Sequence, residues 1–274
     1  MTLSAILETL AKDPNYPVDL ARVALLIARE AYTQMNPWVY LRRIDRLAEE
    51  VRPRLNGSLA ARTAALSEFL FEDCGFRGNS EHYYDPRNSY LNKVIDRQKG
   101  LPITLSLLAM AVGTRAGLEV VGIGLPGHFV AKAVGEDGDE VIFDPFNGGQ
   151  FLDAEACEAL VGAVTGRAFD ATPEALFAVP PGGFILRMLN NLKTAYLAER
   201  SPLRAARVTR RLSQLLPADP TQRRDLGLLL AKCDRFGAAI DPLREYLAAC
   251  PDAEDADQVQ RILSTALSEV ARWN

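Results

Sequence analysis

The chain has 274 residues, 48% of them hydrophobic and 24% charged. That is the balance of one large globular domain or two compact ones, and it excludes disordered and collagen-like classes. Lys and Arg number 31 against 35 Asp and Glu, a net charge of −4, so no broad nucleic-acid surface is expected.

Cys74, Cys157, Cys233 and Cys250 lack CxxC spacing and suggest neither a zinc site nor a disulfide framework. The first residues, MTLSAILETLAKDPN, lack the basic segment of a secretory signal. The uncharged stretch 101–114 is shorter than the ~20 residues a membrane span needs. A cytoplasmic protein without membrane attachment, cofactor or metal is the expectation.

Residues 1–73 read as helices. Leu20, Val23, Ala24, Ile27 and Ala28 repeat as one apolar face, and Tyr40, Ile44 and Leu47 continue it. Pro53 and Asn56–Gly57 break the run, and Ser58 is placed to cap a helix bearing Leu59, Thr63, Leu66 and Leu70. GFRGNSEHYYDPRN, residues 75–88, has no period and reads as a long, functional loop. Ser89 is then expected to cap a short helix with Leu91, Val94 and Ile95.

After Gly100–Leu101–Pro102, ITLSLLAMAVGTRAG is apolar all round and belongs at a domain centre. LEVVGIGL, HFVAKAV and EVIFDPF follow as strands, the last two joined by a hairpin turn over 135–139. The glycines of GIGLPG imitate a nucleotide loop, but no helix follows them to hold phosphate. Pro180–Pro181–Gly182–Gly183 marks a boundary, giving units 1–179 and 180–274. Beyond it Pro217 and Pro251, Ala205 and Ala239, and Leu212 and Tyr246 each lie 34 apart, the tetratricopeptide period. Two copies and a trailing helix over 257–273 are too few for a free-standing solenoid, so this segment should lean on the rest of the chain.

His82 and His128 are the two histidines. A hairpin centred on residue 137 sets position 130 opposite 144. His128 is then one diagonal step from Asp144, within reach of a polar pair. Such a pair is half of a nucleophilic triad, or simply a satisfied, partly buried histidine. Thr104 and Ser106 read as buried hydroxyls bonded to backbone carbonyls, and the four cysteines as structural thiols. His82, with Tyr83, Tyr84 and Asp85, either lines a pocket or sits in a loop packed by its own tyrosines, and Asn79 and Asn88 of the same loop are further binding candidates. Arg200, Arg204, Arg207 and Arg211 step as one stripe. It is either a solvated face paired with carboxylates or a groove for acidic peptide tails.

Gly100–Leu101–Pro102, the following helix, Gly117–Leu118, His128–Phe129 and Asp144–Pro145 occur in the order of a papain-like core. The chain thereby resembles the transglutaminase-like superfamily. The runs NSYLNKVIDRQKGLPITLSLL, LPGHFVAK and FDPFNGG are similar to a bacterial subfamily, the SirB-type regulators, which join such a core to tetratricopeptide-like helices. The resemblance implies an α+β fold: a central helix on an antiparallel sheet, with N-terminal helices and a C-terminal helical layer.

It also implies a nucleophilic cysteine third in a G-x-C triplet, and here Pro102 stands in that place. Proline suits a first helical turn but supplies no nucleophile. The expected function is therefore non-catalytic binding of a protein or peptide, with Pro102, Thr104 and Phe129 beside the loop and the arginines as binding residues. The alternative is a hydrolase or acyltransferase that uses His128 and Asp144 with another nucleophile.

Overall fold

The computed structural model describes residues 1–272 and divides into two compact units, 17–184 and residues 1–16 together with the chain from Ile185 onward. Helix α1 (Leu3–Lys12) belongs to the latter unit and is described with it.

The central unit begins with α2 (Leu20–Ala31), capped by Asp19 through Arg22 N–H, and α3 (Pro37–Val51), capped by Asn36. The buried stripe of α3 is Leu41, Ile44, Ala48 and Val51, one position away from the expected Tyr40 and Leu47. Ser58 caps α4 (Leu59–Ser67), which continues as a π-helical turn over Glu68–Asp73. The 75–88 segment contributes β1 (Arg77–Gly78), then a 3-10 turn, Pro86–Ser89, that runs into α5 (Leu91–Arg97). Tyr90, not Ser89, is the N-cap of α5, and the Ser89 hydroxyl is buried without a hydrogen-bond partner among the described residues. β1 pairs in parallel with β2 (Lys99–Gly100), a pairing with no sequence period to announce it.

Helix α6 (Pro102–Ala116) is the centre of the unit. Twelve of its residues are buried, and Gly117 ends it at φ +94°, a conformation glycine adopts without a Cβ clash. It lies against an antiparallel sheet ordered β3 (Glu119–Leu125), β4 (His128–Val134), β5 (Glu140–Asp144), β6 (Gln150–Leu152). Gly113 permits the close approach: an added Cβ would stand 2.7 Å from the Val120 side chain. The β4–β5 register pairs Ala131 with Phe143 and Val134 with Glu140, which centres the hairpin on residue 137. Helix α7 (Ala154–Thr165) covers an apolar cluster of Ile123, Leu125, Val130, Cys157 and Val161.

The other unit contains α1, α8 (Pro181–Ala198) from Ile185, α9 (Pro202–Leu215), α10 (Pro220–Ala231), α11 (Phe236–Ala249) and α12 (Ala256–Ala271), with α1 on α9 and α9 to α12 packed in succession. The expected trailing helix extends to Trp273, which lies outside the described residues. Both the starts (Pro202, Phe236) and the ends (Leu215, Ala249) of α9 and α11 obey the 34-residue offset. Ala205 and Ala239 are fully buried, and Gly227 packs so tightly that a Cβ there would meet Leu243 at 2.5 Å. Helix α1, read from the sequence with the N-terminal helices, packs on α9 instead. Its Leu3, Ile6, Leu7 and Leu10 form one buried face, an i, i+3, i+4, i+7 stripe covering a helix of a short repeat array. Leu7→Ala is expected to destabilise the unit by about 2–5 kcal/mol, the cost of a buried leucine truncation, measured by urea unfolding.

Candidate functional site

His128 opens β4 and Asp144 closes β5. The hairpin register brings His128 Nε2 to 2.8 Å from Asp144 Oδ2, with the residues 5% and 1% exposed. A carboxylate this deep is costly unless its lone pairs are filled, and Asp144 fills them. Oδ1 accepts from the Phe146 and Asn147 amides at 2.9 and 3.3 Å, and Oδ2 also accepts from Asn147 Nδ2 at 2.8 Å. Asp144 thus caps the 3-10 turn Pro145–Asn147 while holding the histidine, and an ionised carboxylate at this place requires Nε2 to be the donor.

That turn presents Phe146. Its ring lies edge-on to His128 at 5.9 Å between centroids and to Tyr83 at 6.1 Å. Gly78 abuts it so closely that a Cβ would sit 2.7 Å from the Phe146 ring and carbonyl oxygen. The histidine, the turn and the 75–88 segment therefore form one contact chain.

Asn88 organises that segment. Fully buried, it accepts from Asn79 Nδ2 at 2.9 Å and Arg97 at 3.3 Å, and donates to the His82 and Tyr83 carbonyls at 2.7 and 3.2 Å. Its own carbonyl accepts from Thr104 Oγ1 at 2.7 Å, and Thr104 Oγ1 accepts from Leu101 N–H at 2.9 Å. The segment is thereby fastened to the first turn of α6, where Pro102 stands. Burial raises the Asp85 carboxyl, but hydrogen bonds from Arg87 and the nearby Arg97 charge outweigh it and hold the group below its ordinary value.

The sequence-derived candidates thus separate. His128, Asp144, Asn79, Asn88, Tyr83 and Thr104 are joined by hydrogen bonds or by Phe146. His82 and Tyr84 are exposed, Tyr84 by 58%, with Tyr84 edge-on to Tyr83. Phe129 packs edge-on to Phe184 and against Gly122, in the core. Pro102 is buried at the helix start. Among the described residues, the buried Ser106 hydroxyl lacks the carbonyl partner expected for it.

The arginine stripe lies in the other unit and is not one row. Arg200 sits in the turn before α9 at φ +54°, Arg204 lies over the Tyr196 ring, Arg207 is exposed, and Arg211 donates to Ser4 and Gln214. Phe146, Asn147, Gly78 and Arg97 are the site residues that sequence reasoning missed. An Asp followed three positions later by Asn, in DPFNGG, is the one signal that pointed to a side-chain-capped turn.

Thiol chemistry finds no support in Cys74 or Cys157. Burial pushes the Cys74 thiol up, with Glu50 and Asp73 adding to the effect, and burial pushes Cys157 up with help from Asp153 and Asp144. Among the described residues no group of three His, Cys, Asp or Glu side chains is placed to hold a metal ion.

Asp144→Ala strips His128 and two amides of a buried acceptor. It is expected to cost about 3 kcal/mol or more in urea unfolding. Depression of the Asp85 carboxyl means its contribution is complete above the unfolded value near ~3.9 and fades as pH falls through the lower folded value. Asp85→Asn should therefore flatten the acid side of a stability–pH curve below about pH 4. Alkylation of Cys74 should run slower than that of free cysteine at neutral pH and accelerate only in alkali, because the thiolate is the reactive form.

The profile of the Transglutaminase-like superfamily matches residues 39–190, and a tetratricopeptide-repeat profile matches residues 192–264. A "UPF0162 protein" of Xylella fastidiosa (strain Temecula1) is 34% identical over 256 residues, covering 92% of this chain and 91% of that protein. "Protein SirB1" of Salmonella typhimurium is 24% identical over 200 residues, 73% of this chain and 74% of that one. "F-box only protein 21" of mouse is 31% identical over 105 residues, 36% of this chain and 17% of that protein. No solved structure matches the chain. The matched span contains the central helix, the sheet and the His128–Asp144 pair, and the chain belongs to the transglutaminase-like superfamily.

Proposed function

We propose that this protein is a non-catalytic binding protein, regulatory and cytosolic, that holds a protein or peptide partner through the 79–88 segment of its transglutaminase-like unit and through its tetratricopeptide-like helices. The observation that carries the reading is the combination of Pro102 with a His–Asp couple whose carboxylate is already filled by hydrogen bonds. The position that the family resemblance assigns to the nucleophile has no thiol or hydroxyl, and the carboxylate that orients the histidine is engaged in building a turn. Loss of the nucleophile from a triad leaves only about 10³–10⁴-fold catalysis over water, and that remainder needs a prepared oxyanion site.

The fold supports binding by different means. Repeats of helix pairs offer extended surfaces for partners. The 79–88 segment is rigidly fastened by Asn88 yet presents Tyr84 and His82 to solvent, and aromatic side chains on a fixed support make effective contacts. Among the described residues no helix is long and apolar enough to cross a membrane.

Affinity capture from the source cell, with mass spectrometry, tests the reading using wild type, a folded His128→Ala variant and a chain reduced to residues 17–184. An unmodified partner retained by His128→Ala and lost on truncation is the expected result. A partner recovered cleaved or cross-linked with wild type alone would establish the enzyme instead.

A further inference from the structure

The inner side of α9 is apolar, with Ala205, Ala206, Val208, Leu212 and Leu215 buried, while the helix PLRAARVTRRLSQL contains no acidic residue. Arg204, Arg207 and Arg210 are all exposed. They follow one another in steps of three, a slanting row about 9 Å long at 1.5 Å rise per residue. Arg210, rather than Arg211, continues the exposed row, because Arg211 is turned to Ser4 of α1 and to Gln214. The Arg204 guanidinium is braced over the Tyr196 ring at 5.8 Å. Among the described residues, Arg207 and Arg210 have no carboxylate in ion-pair range. Like charges three positions apart weaken a helix. This row therefore stands uncompensated in a chain whose net charge is −4.

We infer that the Arg204–Arg207–Arg210 row is the docking face for an acidic segment of a protein partner, an inference that rests on the binding function proposed above and names the chemistry of its ligand. A guanidinium fork matches the two oxygens of a carboxylate, and a short run of Asp and Glu side chains fits a row of this length. Nucleic acid fits it less well. Its affinity grows with the number of phosphates neutralised, and the acidic remainder of the chain repels a long polyanion. A second copy of the chain is also disfavoured. Its own acidic runs are Asp252, Glu254, Asp255 and Asp257, where Asp255 is already held by Arg224 and Tyr246, and Glu136, Asp137, Asp139 and Glu140, where Glu140 is already held by Lys132.

Fluorescence anisotropy of the full chain with a short, labelled Asp/Glu-rich peptide tests the assignment, with the Asn/Gln version of the peptide and an oligothymidylate of equal charge as comparison probes. The acidic peptide should bind, weaken as salt rises, and lose about tenfold or more in affinity in the combined variant Arg204→Glu, Arg207→Glu, Arg210→Glu. The combined Arg→Gln variant should fall between the two and controls for folding, with circular dichroism and thermal melting checked on both.

Peptide affinity unchanged in the charge-reversed variant would overturn the inference. So would tighter binding of the oligothymidylate through the same arginines, or self-association of wild type that the variant abolishes. Partner capture that survives charge reversal would overturn this face while leaving the binding function standing, which separates the two failures.

Discussion

The central unit depends on the hydrogen bonds that surround one buried carboxylate. Asp144 ends a strand, caps the turn that follows and fixes the histidine at the start of the neighbouring strand. In the low-dielectric interior such a group is tolerated because every contact it makes is to a donor, and the same condition makes each donor costly to orphan. Phe146 is carried by that turn, Tyr83 and Gly78 rest on Phe146, and Asn88 ties the segment bearing Tyr83 to the first turn of α6. The same His–Asp constellation that other chemistry would use to activate a nucleophile builds the turn that carries Phe146.

The second unit solves a different problem. Helix pairs of a repeat cannot bury their apolar faces alone, so a short array needs its terminal surfaces covered. Alanines at the 34-residue offset and the tight fit of Gly227 on Leu243 let neighbouring helices approach, while α1 supplies four buried apolar side chains for α9. The outer side of α9 is left to arginine. Its charge serves no ion pair on its own helix and so is available to a ligand of opposite sign.

Much of this was legible in the residues because it follows from short-range periodicity. The turn over 135–139 fixed the centre of its hairpin, and the register placed His128 beside Asp144. The offset between Pro217 and Pro251 reappeared in the bounds of α9 and α11. What stayed hidden depends on long-range or backbone interactions. β1 and β2 pair through two residues each, too few for an alternation to show. Nothing in the local pattern of α1 says that its apolar face meets α9, because any amphipathic helix presents such a face. Ser89 has the right chemistry for a cap, but the preceding 3-10 turn runs through it and moves the cap to Tyr90. Phe146 lacked any signal of its own, since its role comes from the turn that Asp144 builds.

The central claim is that the histidine and aspartate serve structure and recognition, not turnover. Intact-mass spectrometry of a captured partner after prolonged incubation with wild type, and separately with folded His128→Ala, tests it most directly. The partner's mass should be the same before and after incubation with either protein. A mass change made by wild type and absent with His128→Ala would show catalysis and contradict the account.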